Sequence, residues 1–411
     1  MRIGRTLPPA ASPISVQDIL KGILALRNPG EPLEAFRQSI MDYFDVKYCF
    51  LLSSGKAAIS VSLKALGKLL PNRKRVIVPA FNCYSVPSAI INAGFNVHPC
   101  DTEPYTLQIQ KESLLKALNT TDDVLAIIPA HLFGLPAPIP WIYQIGCNDG
   151  IPVIEDAAQA MGSSYNGKLL GTQTDIGIFS LSRGKAFSTG EGGIIITSRD
   201  DIGETIDQIL KSVSSPSLMW SAKLLLKNIA LALMINPQLF WLPLSIPVLR
   251  LGETIFNSSF DIFKLGNLQA VIASKWEIKL QKLLFERSSR NRYYSEHLNG
   301  IEGIVRITNL LNLTDFTGIR YPILLTDNDN VRKILQISHK AGLGIASSYP
   351  GILNHIQQLN ISSEIQCRNA QAIPGKLITL PSHPLVSHQD MENIVMVIRS
   401  VVEGRNCFRA C

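Results

Sequence analysis

Along the first half of the chain, short and almost wholly apolar runs alternate with stretches whose apolar residues recur at helical spacing. The runs are 49–52, 75–79, 95–99, 124–128, 151–155, 176–180 and 193–197. Each has a strand's length and is bounded by polar or turn-forming residues. Between the first two, Ile59, Leu63 and Leu66 fall at i, i+4 and i+7, one buried face of a helix. Strand-like runs separated by helical ones predict an α/β domain with a mainly parallel, seven-stranded sheet covered by helices. From about residue 276 the pattern changes to a helix and then mixed strands and helices ending near Val402, a smaller C-terminal α+β domain.

One stretch breaks this alternation. From Asn228 to Leu249 the chain carries no charge, between Lys227 and Arg250, and approaches the length of a membrane span. Pro237, Pro243 and Pro247 argue against one continuous spanning helix, because each lacks an N–H that lipid would require satisfied. Two readings stay open: a lid or dimer contact buried against protein, or shallow docking on the inner membrane face. Docking would use Phe240, Trp241 and Leu242, with Lys223, Lys227 and Arg250 favouring anionic headgroups. The expected divisions are an N-terminal segment (1–30), a large domain (31–213), an apolar insertion (214–260), a return of the large domain (261–275) and a small domain (276–411).

At 411 residues and 46% apolar content the chain can bury two cores. The N-terminus lacks the apolar core of a secretory signal, so a cytoplasmic location is expected. Cysteines at 49, 83, 100, 147, 367, 407 and 411 form no CxxC pair and no ligand spacing with histidine, which points to reduced thiols and to neither zinc nor a disulfide framework. The formal charge of +7 is scattered and no nucleic-acid motif accompanies it. An anionic cofactor and substrate suit it instead.

The chemistry is carried by a lysine and an aspartate. Lys185 lies in a glycine-flanked loop ahead of Gly190-Glu-Gly-Gly193, and Asp156 ends the apolar run Val153-Ile-Glu-Asp156. Singly, such residues are most often a solvated lysine and a helix cap. Together they meet the needs of pyridoxal phosphate (PLP): a lysine amine forms the Schiff base, and an ionised carboxylate keeps the pyridine nitrogen protonated so that the ring withdraws electrons.

The segments Glu155-Asp-Ala-Ala-Gln-Ala160, Phe179-Ser180, Lys185 and Gly190-Glu-Gly-Gly193 resemble, in order and spacing, the DegT/DnrJ/EryC1/StrS family of PLP-dependent sugar aminotransferases. So do Ser53-Ser-Gly-Lys-Ala-Ala58, His131-Leu-Phe-Gly134, Gln269-Ala270, Ser348-Tyr-Pro350 and Leu380-Pro-Ser-His-Pro384. The resemblance covers most of the chain. It implies the type I aminotransferase fold, the cofactor pyridoxal 5'-phosphate and a homodimer with the active site near the subunit boundary.

Residue by residue, it implies that Lys185 is the covalent attachment point, Asp156 the pyridinium partner and Gln159 a contact to the ring's phenolic oxygen. Ser54, Gly55 and Ser180 would hold the phosphate, although Ser54 alone reads equally as an N-cap and Ser180 as a strand-end serine bonding its own backbone. Many relatives have Thr where Lys56 stands, so Lys56 could substitute only as a point charge. Where many have Phe or Trp stacked on the ring, this chain has Cys83, which leaves Tyr84 as candidate for stacking or for the core. His131, after a buried strand, reads as a structural histidine. Relatives send an Asn-Tyr-Arg segment to a neighbouring subunit's phosphate. The aligned residues here are Ile262-Phe-Lys264, so Lys264 would retain the charge alone. The apolar insertion is also longer than the link many relatives have.

The function so implied is transfer of an amino group, from glutamate as donor, to a keto group of a nucleotide-activated sugar. Lysine at 185, where dehydrating relatives carry His, argues against that other chemistry. The departures at Lys56, Cys83 and Ile262 motivate a rival, a PLP-binding regulatory or partner subunit with little catalysis. An aminotransferase acting on a small molecule that is not a sugar would share every cofactor residue.

Overall fold

In the computed structural model of the protein, the described residues are 3–25, 31–120, 122–246, 254–305, 307 and 316–404. Pro247 of the apolar run and Arg250 beside it, and Cys407 and Cys411, lie outside them.

Seven strands among the described residues build one sheet. They are β1 (Tyr48–Leu52), β2 (Arg75–Pro79), β3 (Asn96–Cys100), β4 (Val124–Ile127), β5 (Ile154–Asp156), β6 (Ile176–Ser180) and β7 (Gly193–Thr197). Their order is β3-β2-β4-β5-β6-β7-β1, with bridges Ile127 to Val153 and Ala130 to Asp156 joining β4 to β5. Only β7 runs antiparallel to its neighbours, β6 and β1. Strands β4 to β7 are buried at every position. A parallel sheet covered on both faces has no solvent side to mark with polar residues, and this is why these strands read as unbroken apolar runs.

Helix α1 (Gly55–Leu69) starts directly after β1, where the Ser54 hydroxyl accepts from the Ala57 N–H at 3.1 Å. It buries Ile59, Leu63 and Leu66 as the spacing predicts, at about 1.5–3 kcal/mol per side chain. The insertion follows. Helix α2 (Leu218–Met234) is capped by the Ser217 hydroxyl and stops two residues short of Asn236-Pro237, and one further turn forms α3 (Trp241–Leu244). No helix among the described residues is long and apolar enough to cross a membrane.

Helix α4 (Trp276–His297) leads to the small domain, an antiparallel sheet β8-β9-β11-β10 formed by β8 (Ile304–Val305), β9 (Arg320–Leu325), β10 (Ala346–Ser347) and β11 (Leu377–Pro381). Its core is continuous with the large domain: Phe81 and Phe133 pack in the same cluster as Tyr294, Ile323 and Ile378.

The N-terminal segment is a strap across all of these parts. Arg5 pairs with Asp390, Thr6 N–H donates to Pro237 O in the insertion, and Leu7 N–H donates to Gly342 O at 2.9 Å. His383 Nε2 donates to Pro8 O at 2.7 Å, and the Ser12 hydroxyl donates to the carbonyl of Lys185. From this strap Pro8, Pro9, Ala10 and Ser12 line a cavity that also includes Lys185.

Candidate active site

A cavity of about 630 Å³ opens at the carboxyl ends of the parallel strands. Open α/β sheets gather chemistry there, because loops and helix N-termini converge above the strand ends. Seven of the nine residues singled out in the sequence line this cavity: Ser54, Gly55, Lys56, Asp156, Gln159, Ser180 and Lys185.

At one part of the wall, α1 presents its N-terminus. Any Cβ on Gly55 would lie 3.1 Å from Ser180 Cβ, so glycine lets helix start and strand end meet closely. Ser180 and Ser182 share a hydroxyl–hydroxyl bond of 2.9 Å. Lys56 Nζ sits 4.3 Å from the centroid of the Phe260 ring. Burial lowers the Lys56 pKa, opposed by the nearby Glu191 carboxylate. Free backbone donors, hydroxyls and a cation at a helix N-terminus fit a phosphate.

Asp156 ends β5 and is buried, with Oδ1 accepting from Ala158 N–H at 3.1 Å. Desolvation raises its pKa, and the Lys185 charge and that N–H oppose the rise. A buried carboxylate with an oxygen to spare suits a protonated ring nitrogen, which would supply a counter-charge beside it. Gln159, one helical turn on, is held at both ends: its Oε1 accepts from Phe133 N–H at 3.1 Å and its Nε2 donates to the Tyr349 hydroxyl at 3.0 Å. One Nε2 hydrogen remains for a ligand.

Lys185 follows a turn in which its own N–H donates to Ser182 O at 3.3 Å. Its carbonyl is fixed by residues the sequence reading did not single out. Arg287 on α4, fully buried, donates to Lys185 O at 3.0 Å, Ala186 O at 2.7 Å and the Ser12 hydroxyl at 2.9 Å. In a sequence Arg287 is one of several charges in the polar run from Glu286 to Arg292. No periodicity distinguishes it.

Two expected residues do not line the cavity. Tyr84 is 9% exposed and packs in the hydrophobic core, with Leu353 among its cluster, while Cys83, Ser85 and Val86 form the wall. The helix Ser85–Ala93 begins at that point, so the Tyr84 backbone is already helical and its neighbours receive the cavity-facing directions. Lys264 pairs through its backbone with Leu52 and Ser214 and is absent from the wall, although Phe260 and Phe263 reach it. His131 takes the structural place: Nδ1 accepts from Ala137 N–H and Nε2 donates to Glu155 Oε1, each at 2.8 Å. Glu155 in turn accepts from Gly171 N–H at 2.6 Å and Gln173 N–H at 2.9 Å.

The insertion is docked on the glycine-rich loop. Lys227 pairs with Glu191, and buried Asn228 donates to Thr189 O at 3.1 Å. A Cβ on Gly190, whose φ is +90°, would stand 1.9 Å from Asn228 Oδ1, so glycine is required twice over. The inner side of the insertion, with Leu231, Ile235, Phe240 and Pro243, walls a second cavity of about 620 Å³ that shares Lys185 with the first. Phe240, a docking residue in the membrane reading, is half-buried and lines this cavity.

A sheet of this order with its cavity at the carboxyl edge is that of the type I PLP transferases, and the protein is an aminotransferase of that fold whose cofactor is pyridoxal phosphate. The DegT/DnrJ/EryC1/StrS aminotransferase family profile matches residues 15–399, and the chain belongs to that family. It is 26% identical over 384 residues to the UDP-N-acetyl-3-dehydro-alpha-D-glucosamine 3-aminotransferase of Acidithiobacillus ferrooxidans, covering 92% of this chain and 90% of that one. Over 176 residues it is 31% identical to the L-glutamine:2-deoxy-scyllo-inosose aminotransferase of Streptomyces fradiae, covering 42% of this chain and only 40% of that protein. Among solved structures it resembles Helicobacter pylori PseC, an aminotransferase involved in the biosynthesis of pseudoaminic acid, with a TM-score of 0.77, 16% identity and coverage of 97% and 100%.

Proposed function

We propose that the protein transfers an amino group, with glutamate as donor, to a keto group of a nucleotide-activated sugar. The observation that carries this reading is the shared cavity: Lys185 and Asp156 open on the same space as the α1 N-terminus and Ser180. Bound pyridoxal phosphate supplies an electron sink for the electron pair of the broken C–H bond. The chain supplies the rest. Lys185 Nζ, freed by the incoming amine, takes the proton from the donor's α-carbon and returns one to the sugar carbon. Asp156 holds the ring nitrogen's proton, Gln159 orients the ring through its phenolic oxygen, and Ser54, Gly55, Lys56 and Ser180 hold the phosphate.

The names of relatives support the sugar substrate, since one of them acts on a UDP-linked keto sugar. The test is spectroscopic. Glutamate should bleach the enzyme-bound chromophore, and a keto-sugar nucleotide should restore it. Bleaching that no keto-sugar nucleotide reverses, while small keto acids do, would favour a substrate outside sugar metabolism.

The working unit we propose is a cytoplasmic homodimer in which Lys264 serves the neighbouring subunit's phosphate, an assignment that suits its absence from its own cavity. Mixing inactive Lys185→Ala and Lys264→Ala subunits should regenerate one complete site per mixed dimer. No recovered activity despite subunit exchange would remove the cross-subunit role. The exposed side of α2 carries Leu218, Met219, Leu226 and Leu233, and through it we propose peripheral contact with the inner membrane face.

A further inference from the structure

Helix α2 carries apolar residues on two sides. The side that lines the second cavity reads Lys227, Ala230, Leu231, Met234 and, just past the helix end, Ile235, the three- and four-residue spacing of one helical face. Phe240, Pro243 and Leu244 continue that wall. Among the described residues the insertion gives the wall two polar side chains, Lys227 and Thr254, and Lys227 is paired with Glu191. The N-terminal strap adds Pro8, Pro9 and Ala10, and its Ser12 hydroxyl is spent on the Lys185 carbonyl.

This apolar wall begins at the reacting end of the site. Cys83, Gln159, Arg183, Lys185 and Lys227 line both cavities, so the two spaces meet at the reactive lysine. From Lys227 to Ile235 the wall runs about 12 Å away from that junction, at the helical rise of about 1.5 Å per residue. Met234 and Leu244 line the cavity and are also 38% and 40% exposed, so it opens to the outside between apolar side chains.

The chemistry of the wall selects the ligand. Protein interiors are close-packed, so a space of about 620 Å³ is no packing fault. A sugar hydroxyl or a nucleobase amide placed along the insertion would lose its water and, Thr254 aside, find no side-chain partner there. A hydrocarbon chain needs no partner and gains about fourfold in affinity for each methylene buried. We propose that the acceptor sugar carries a hydrocarbon chain, an acyl or alkyl substituent, which lies along α2 between Lys227 and Pro243 while the keto carbon faces Lys185. The assignment rests on the aminotransfer reading and narrows its acceptor to an amphipathic keto sugar.

The test uses the PLP-loaded protein in its native oligomeric state. Calorimetric titration with straight-chain primary alcohols from butanol to octanol reads the cavity without turnover, and affinity should climb about fourfold per methylene. Leu231→Asn puts an amide on the wall, and Leu231→Trp fills the space. Each should lower octanol affinity by about tenfold or more, and the second keeps the wall apolar should the first unfold. Turnover then assigns the cavity to the acceptor. A keto-sugar nucleotide N-acylated with octanoyl should have a kcat/KM at least about 100-fold above that of its acetyl counterpart, and the two should converge in Leu231→Trp. Alcohol affinity independent of chain length, as when the partner subunit fills the space, would overturn the proposal. So would octanol affinity unchanged in both variants, or an acetyl substrate that matches the octanoyl one. Octanol binding of the expected kind in a protein whose chromophore glutamate fails to bleach would instead refute the aminotransfer reading.

Discussion

Arg287 and Lys185 are 102 residues apart in sequence, and the guanidinium of one donates to the main-chain carbonyl of the other at 3.0 Å. The same group holds Ala186 O and the Ser12 hydroxyl, so one buried charge ties α4, the lysine loop and the N-terminal strap together. The amine of Lys185 can be aimed because its own backbone is held.

Arg287→Met should therefore cost stability and aim together. The Ala186 carbonyl is worth about 1–3 kcal/mol when left buried and unpaired, while the Lys185 carbonyl keeps only its bond from the Ser12 hydroxyl. We expect a lower melting temperature and slower borohydride-trapped attachment of cofactor at Lys185, with partial recovery of both in Arg287→Lys. Normal trapping in a destabilised Met variant would show that the clamp is structural alone.

Lys185→Ala should fold normally, bind cofactor without a covalent link and lack turnover. Borohydride fixing the cofactor to any other lysine would contradict the assignment.

Asp156 offers a test that needs no substrate. Its carboxyl pKa is raised by burial in the cofactor-free protein, so the folded state binds more protons than the unfolded one above the ordinary carboxylate range of about 4. Stability from this group is present at low pH and falls as pH rises. Cofactor-free Asp156→Asn, which keeps an acceptor for Ala158 N–H, should melt higher than wild type at pH about 7 and converge with it near pH about 4. Turnover of the loaded variant should drop far more than its cofactor affinity, because the ring nitrogen loses its counter-charge.

His383 has the opposite sign. Its imidazole is buried against Pro8 O, and desolvation pushes its pKa down to about 3. Below the unfolded value of about 6.5 the unfolded chain binds the extra proton, so stability is lost as pH falls from there toward the folded value. His383→Gln keeps the donor and should flatten the pH dependence of melting between pH about 6.5 and 4, measured calorimetrically. An unchanged slope would assign acid sensitivity to other groups.

The outer side of α2 is testable by flotation. Leu226 and Leu233 are 67% and 57% exposed, and Lys223 lies on the same side. Wild type should co-float with anionic vesicles at low salt and release as salt rises, whereas Leu226→Ser with Leu233→Ser should stay behind. Failure of wild type to co-float would leave this face to a protein contact, and a shift of the double variant from dimer to monomer would identify that contact.

What the sequence by itself determined is what local chemistry and short spacing encode. The parallel strands were legible because burial on both faces leaves unbroken apolar runs, and α1 because Ile59, Leu63 and Leu66 share one face. Lys185, Asp156, Gln159, Ser54 and Gly55 were singled out by the order and spacing in which their segments resemble the family, and they line one cavity. Tertiary structure alone decided what crosses the chain. Tyr84 went to the core and Cys83 to the cavity, because the onset of a helix set the side-chain directions. Phe240 came to line a cavity, half-buried, where the insertion docks through Asn228 and Lys227. Arg287 and Ser12 have no local signature, since their roles come from partners 101 to 275 residues away. A charge in a polar stretch of sequence looks solvated until the fold buries it, and burial is a property of the whole chain.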